Sequence, residues 1–147
     1  MLKEYKIHSI IDLGAGYGRV GLVMQKHLPK AKFVGFELVE QRCNEGNRIF
    51  EKLKMNNCHL VVQNIVAKNF LLPQADLYFI YDFSDQHDQK KLLNIFSKKM
   101  ETEEFFMVVR GKSMRSLIQN KYPEFYNCFE PMHEENWSIY SSWCDVD

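Results

Sequence analysis

The sequence predicts an α/β protein: three-layer and doubly wound, with a mostly parallel seven-strand sheet and an antiparallel C-terminal strand hairpin. Three observations lead there. Short apolar, β-branched runs alternate along the 147 residues with longer amphipathic ones, the pattern of strands joined by crossover helices. The first such run ends in a bare loop, "DLGAGYG" at 12–18, at the strand-to-helix turn where open α/β sheets bind ligands. The last two strand-like runs are joined by "EPMHEE", short enough for a hairpin. A chain of this length supports one domain with a real core, not two.

The elements follow in order. "KIHSIIDL" (6–13) is brief and β-branched, a buried strand. "GRVGLVMQKHL" (18–28) carries apolar residues at 20, 23, 24 and 28, a helical stripe closed by Pro29. "KFVGFEL" (32–38) reads as the second strand and "VEQRCNEGNRIFEKLKM" (39–55) as the second helix, with Gly46 a weak point inside it. "CHLVVQN" (58–64) and "ADLYFIYDF" (75–83) are the third and fourth strands. Ser84 can cap "DQHDQKKLLNIFSKKM", where Asp85 favours the N-terminus and Lys98 and Lys99 the C-terminus. "EEFFMVVRG" (103–111) is the fifth strand and "SMRSLIQNKY" (113–122) a short helix, with "EFYNCF" and "NWSIYSSW" the two hairpin strands. Trp137 and Trp143 fall on one face of the last strand and read as core.

Hydrophobic residues at 46% and charged ones at 26% are globular proportions and argue against disorder. Formal net charge is zero, 19 basic against 19 acidic residues. Nucleic acid is therefore not supported by net charge, nor is an anionic membrane. The lysine pairs at 90–91 and 98–99 read as a solvated helix face. Cys43, Cys58, Cys128 and Cys144 form no C-x-x-C pair and no zinc spacing. His133, Glu134 and Glu135, adjacent on a turn, are not expected to converge on a metal. "MLKEYKIHS" is no signal core and no apolar run approaches a membrane span. The expectation is a soluble, reduced, cytoplasmic domain.

The glycine loop narrows the chemistry. Gly14, Gly16 and Gly18 allow a tight turn and close approach of backbone N–H groups to a ligand. One glycine would serve a plain turn; three at alternate positions ask for a ligand. A P-loop needs G-x-x-x-x-G-K-[ST], which is absent. A dinucleotide fingerprint needs G-x-G-x-x-G, whereas this loop is G-x-G-x-G with Asp12 two residues ahead. That carboxylate would repel a pyrophosphate and suits a ligand carrying an ammonium near a positive sulfur.

"DLGAGYG" resembles the first motif of the class I S-adenosylmethionine-dependent methyltransferases, D/E-x-G-x-G-x-G. "VVQNIV" (61–66) is similar to the third-strand motif, with Asn64 where Asp is usual, and "ADLYFIYDFSD" to the fourth-strand motif. The resemblance runs from residue 7 through the terminal hairpin. It implies S-adenosyl-L-methionine as cofactor, held by Asp12, Gly14, Ala15, Gly16, Gly18, Glu37, Leu38, Asn64, Ile65 and Asp82. Glu37 would take the ribose hydroxyls and would disfavour a 2′-phosphate. The Asn64 side chain and the Ile65 N–H would take the adenine edge.

The acceptor is less defined. Asp82 is the single best catalytic candidate, as a contact to cofactor or acceptor; Ser84, Asp85 and Asp88 read as capping and solvation, and His87 as a base or, as lone surface histidines more often are, idle. "YDFSD" departs from the [DN]-P-P-[YF] of amino-methyltransferases and from the Asn-Phe type ending of the non-SET protein-lysine methyltransferases. The reading is a single domain, residues 1–147, expected to lack the lid helices such proteins usually carry before the first strand. An open site, a macromolecular acceptor such as a protein, or a homo-oligomer closing the crevice are the expectations that follow. The alternatives are a non-catalytic cofactor-binding or partner-subunit module with the same fold, and a related aminopropyl-donor chemistry.

Overall fold

The computed structural model describes residues 4–144. Residues 1–3, which open the charged stretch noted above, lie outside the described residues, as do 145–147. The order is β1 (Ser9–Leu13), α1 (Arg19–His27), β2 (Lys32–Glu37), α2 (Glu40–Lys52), β3 (Cys58–Val62), β4 (Leu77–Tyr81), α3 (Gln86–Lys99), β5 (Phe106–Arg110), α4 (Lys112–Lys121), β6 (Met132–His133) and β7 (Trp137–Ser141). One seven-strand sheet runs β3-β2-β1-β4-β5-β7-β6. β1 to β5 pair parallel, and β7 lies antiparallel to both its neighbours. Chain order reverses between β1 and β4, which opens a crevice at the carboxyl edge.

Alternation along β1 explains the three layers: Ile10 enters one core and Ile11 the other. Ile10 joins Phe33, Phe50, Leu60 and Phe106 beneath α1 and α2. Ile11 and Leu13 join Tyr78, Leu92, Phe96, Val109 and Leu117 beneath α3 and α4. The interior is heavily aromatic; Tyr78, Phe96 and Phe105 meet with centroids 4.9–5.6 Å apart, within the range where ring pairs add to plain burial.

The C-terminal third departs from expectation. "EFYNCF" is not a strand: Pro123–Tyr126 forms a 3₁₀ turn. Pro123 fixes its first φ, and Tyr122 and Phe125, three apart and so on one side of such a turn, are both buried. The partner of β7 is instead the two-residue β6, inside the segment read as loop. Asp85, not Ser84, caps α3, accepting from the Asp88 N–H at 3.0 Å; Ser84 sits at φ 50° and its hydroxyl donates to the Asp88 carboxylate. Of the four cysteines read as reduced, Cys43 and Cys58 are free and buried. Cys128 and Cys144 form a disulfide, because the 3₁₀ turn brings their Cα atoms to 4.6 Å. Both tryptophans pack on the α1 side, Trp143 stacked on Phe106 at 6.1 Å.

Gly46, the apparent weak point of α2, is a contact. A Cβ there would meet the Tyr17 carbonyl oxygen at 2.8 Å and the Leu60 side chain. Glycine lets α2 press against the loop that ends β1. Among the described residues no helix is long and apolar enough to cross a membrane.

Candidate active site

The loop after β1 is clamped to the end of β2. The Gly14 and Ala15 N–H groups both donate to the Phe36 carbonyl at 2.9 Å. The Gly16 N–H donates to Glu37 Oε2 at 2.8 Å, and the Val39 N–H to Oε1 at 3.0 Å. Gly14, Gly16 and Gly18 have φ of 82°, 57° and 81°, the left-handed region that costs other residues about 1–2 kcal/mol. A Cβ on Gly14 or Gly16 would find no atom within 4 Å. The loop therefore presents bare backbone to open space, the cradle a ligand needs.

A cavity of about 470 Å³ opens beside it, lined by Gly14, Glu37, Leu38, Asn64 and Ile65. Five residues picked from sequence thus converge. Glu37 is only 6% exposed, a carboxylate at the cavity wall with Arg42 3.6 Å away. Leu38 is exposed and Ile65 buried, an apolar pair for a flat ring. Asn64 Oδ1 accepts from the Val66 N–H at 3.1 Å and keeps a second lone pair and its amide donors. Arg42, Val66 and Phe83 also line the cavity and escaped the sequence reading. Arg42 could have been found, since it lies in the first turn of the helix that follows Glu37.

Asp12 lines a second cavity, about 510 Å³, with Phe79, Tyr81, Val108, Arg110 and Trp137. Arg110 lies over the Tyr81 ring, 5.5 Å from its centroid. Asp12 is 5% exposed, and burial first, then the Glu37 charge, pushes its carboxyl up to about 7. Asp82, at the tip of β4, serves a different end, for its two oxygens accept the Ser113 and Met114 N–H groups at 3.0 and 3.1 Å. It holds the first turn of α4, and Gly111, which leads into that turn, has no room for a Cβ beside it. His87 is exposed on α3.

Residues 6–144 match a family described as a methyltransferase domain. The chain belongs to that family. Among solved structures, this methyltransferase domain resembles an RNA methyltransferase from Salinibacter ruber in complex with S-adenosyl-L-homocysteine, with TM-score 0.63 and 14% identity over 99% of this chain and 89% of that one. PKMT2 from Rickettsia typhi, in complex with AdoHcy, gives TM-score 0.62 and 20% identity over 80% and 24%. An O-methyltransferase of a trans-AT PKS multienzyme from Brevibacillus brevis, in complex with S-adenosyl-L-homocysteine, gives 0.59 and 15% over 71% and 35%. At such identities the likeness is one of fold. The chain spans about two-fifths of the length of other such structures, and no curated protein matches it. The methyltransferase family and the Rossmann-like fold expected from the sequence are those the chain has.

The geometry sharpens the test of Glu37. Glu37→Ala should weaken binding of S-adenosylhomocysteine by roughly 1.5–3 kcal/mol, the range for hydrogen bonds to a charged group. Glu37→Gln, which keeps one acceptor oxygen for the Gly16 N–H, should lose less. Calorimetry on both variants checks this; an unchanged affinity in the alanine variant would place the ribose elsewhere.

Proposed function

We propose that the domain transfers the methyl group of S-adenosylmethionine to a macromolecular acceptor that closes over the carboxyl edge of the sheet. One observation carries the reading: a buried Glu37 carboxylate bonded to the N–H of a left-handed glycine loop, with open space above that loop. When bound, the cofactor supplies a methyl group already activated by its sulfonium. The protein is left to orient it and to exclude water. Glu37 would accept from the ribose hydroxyls, Asn64 and the Ile65 N–H would meet the adenine edge, and Leu38 and Ile65 its faces. Asp12 would face the cationic end. Asp82 would act by fixing α4 beside that end, where it accepts the Ser113 and Met114 N–H groups. The acceptor group would enter through the apolar cavity of Phe79, Tyr81, Val108 and Trp137.

The Salinibacter protein is described as an RNA methyltransferase and aligns with nearly the whole chain, so nucleic acid is the first acceptor class to assay. A cytoplasmic setting, the one read from the sequence, would leave the Cys128–Cys144 pair open to reduction. The deciding experiment pairs calorimetry against S-adenosylmethionine, S-adenosylhomocysteine and NAD with label transfer from radioactive S-adenosylmethionine into extract, with and without nuclease or protease. Cofactor binding with label in a macromolecule is expected. Tighter binding of NAD would sink the cofactor assignment. Cofactor binding without label would favour the non-catalytic module, and sedimentation would show whether a second copy covers the crevice.

A further inference from the structure

Two clefts flank α4 and adjoin over its exposed surface. One, about 350 Å³, is lined by Lys112, Arg115, Tyr126, His133 and Tyr140 among others. The other, about 570 Å³, includes Lys90, Lys112 and Lys121. Lys112 and Ser116 belong to both, so the clefts meet over α4, one on its α3 side and one on its β6 side, and together make one groove across it. Among the described residues no aspartate or glutamate lines it. In a chain whose net charge is zero, that is a local concentration of positive charge.

The charge is not spent internally. Lys91 and Lys99, on the same helix as Lys90, pair with Asp88 and Glu103; among the described residues, Lys90, Lys112 and Lys121 form no such pair. The Arg115 guanidinium donates to the Glu134 and Glu135 carbonyls and the Ser138 hydroxyl, neutral acceptors that fix it in place and leave its charge uncancelled. At the β6 end, the Tyr126 and His133 rings stand 6.2 Å apart. The Tyr140 hydroxyl, in a residue 1% exposed, lies beside Ser138 and Tyr126 without a formed hydrogen bond.

We propose that this groove docks a single-stranded nucleic acid, with phosphates on Lys90, Lys112, Lys121 and Arg115 and bases against Tyr126 and His133. From Lys112 to Lys121 α4 spans about 14 Å, long enough to meet several phosphates of one strand. Cationic tracks beside aromatic faces are what such strands need, since every base has a face to stack. A lone acidic side chain would use only one end of it. The groove opens where Asp82 ties the first turn of α4 to the tip of β4, so a strand lying in it passes the crevice. That this strand is the methyl acceptor rests on the function proposed above; the docking does not.

The test is fluorescence anisotropy of labelled twelve-nucleotide RNA and DNA at rising salt, with wild type and a triple Lys90→Ala, Lys112→Ala, Lys121→Ala variant. All three lysines are exposed. The wild type should bind, with log affinity falling by about 0.7 per neutralised phosphate per log unit of salt. The triple variant should lose about 2 in that slope and at least tenfold in affinity, while S-adenosylhomocysteine affinity stays unchanged. No binding of either strand by the wild type, undiminished binding by the variant, or equal binding of an acidic peptide of matched charge would each overturn the proposal. Strand binding without S-adenosylhomocysteine binding would instead overturn the cofactor reading and leave the groove standing.

Discussion

Replacing Asp12 by Asn is expected to stabilise the cofactor-free protein at pH 8 and to cripple its cofactor binding. The Asp12 carboxyl has its pKa raised from 3.8 to about 7 in the folded protein. A carboxyl raised on folding holds its proton more tightly folded than unfolded, so stability falls as pH climbs from about 4 through 7. Above pH 7 the full cost is present, roughly 4 kcal/mol. Asn carries no charge and escapes it. The melting temperature should therefore rise by several degrees at pH 8 and by almost nothing at pH 4. The buried carboxylate is also what a cationic ligand would neutralise. Wild-type affinity for S-adenosylmethionine should increase between pH 6 and 8, with proton release, whereas the variant should be weak and flat with pH. Melting curves and calorimetry at three pH values measure both effects; equal melting shifts at pH 4 and 8 would mean that Asp12 titrates as a carboxyl in water does.

Gly16→Val should abolish cofactor binding, a loss of at least a hundredfold, in a protein that still folds. At φ 57° a β-branched residue is strained by about 1–2 kcal/mol, a cost a domain can survive. No protein atom lies within 4 Å of a Cβ there, so the side chain would fill the space over the loop and exclude the ligand. Gly18→Val makes the contrast: its φ is also left-handed, and its Cβ would lie 2.7 Å from the Phe50 ring. That variant should lose its fold along with its site. Circular dichroism and S-adenosylhomocysteine titration separate the two. Native affinity in Gly16→Val would show that the loop is not the site.

The first five strands and four helices were legible because each has its own periodicity: β-branched runs such as Ile10–Ile11, and stripes such as Leu92, Leu93 and Phe96. Glu37, Leu38, Asn64 and Ile65 were legible because a ligand at the switch point must meet the ends of consecutive strands, and they line one cavity with Gly14. What failed depends on partners distant in sequence. Phe125 and Tyr126 look like strand residues, yet tertiary contacts with Tyr140 decide their conformation. The use of Asp82 was hidden because its partners, Ser113 and Met114, lie about thirty residues away. The basic groove was hidden for the same reason: Lys90, Lys112, Lys121 and His133 are scattered in sequence and gathered only by packing.

Gly46 has a consequence for anyone who would harden this domain. In an exposed helix, glycine to alanine is a standard improvement of about 1 kcal/mol, and α2 invites it. Here the methyl group would push on the Tyr17 carbonyl from below, and Tyr17 belongs to the ligand cradle itself. The helix is the bed on which that cradle rests. Gly46 is buried and crowded, so the usual gain is absent there, and heat and ligand titration should both penalise the alanine.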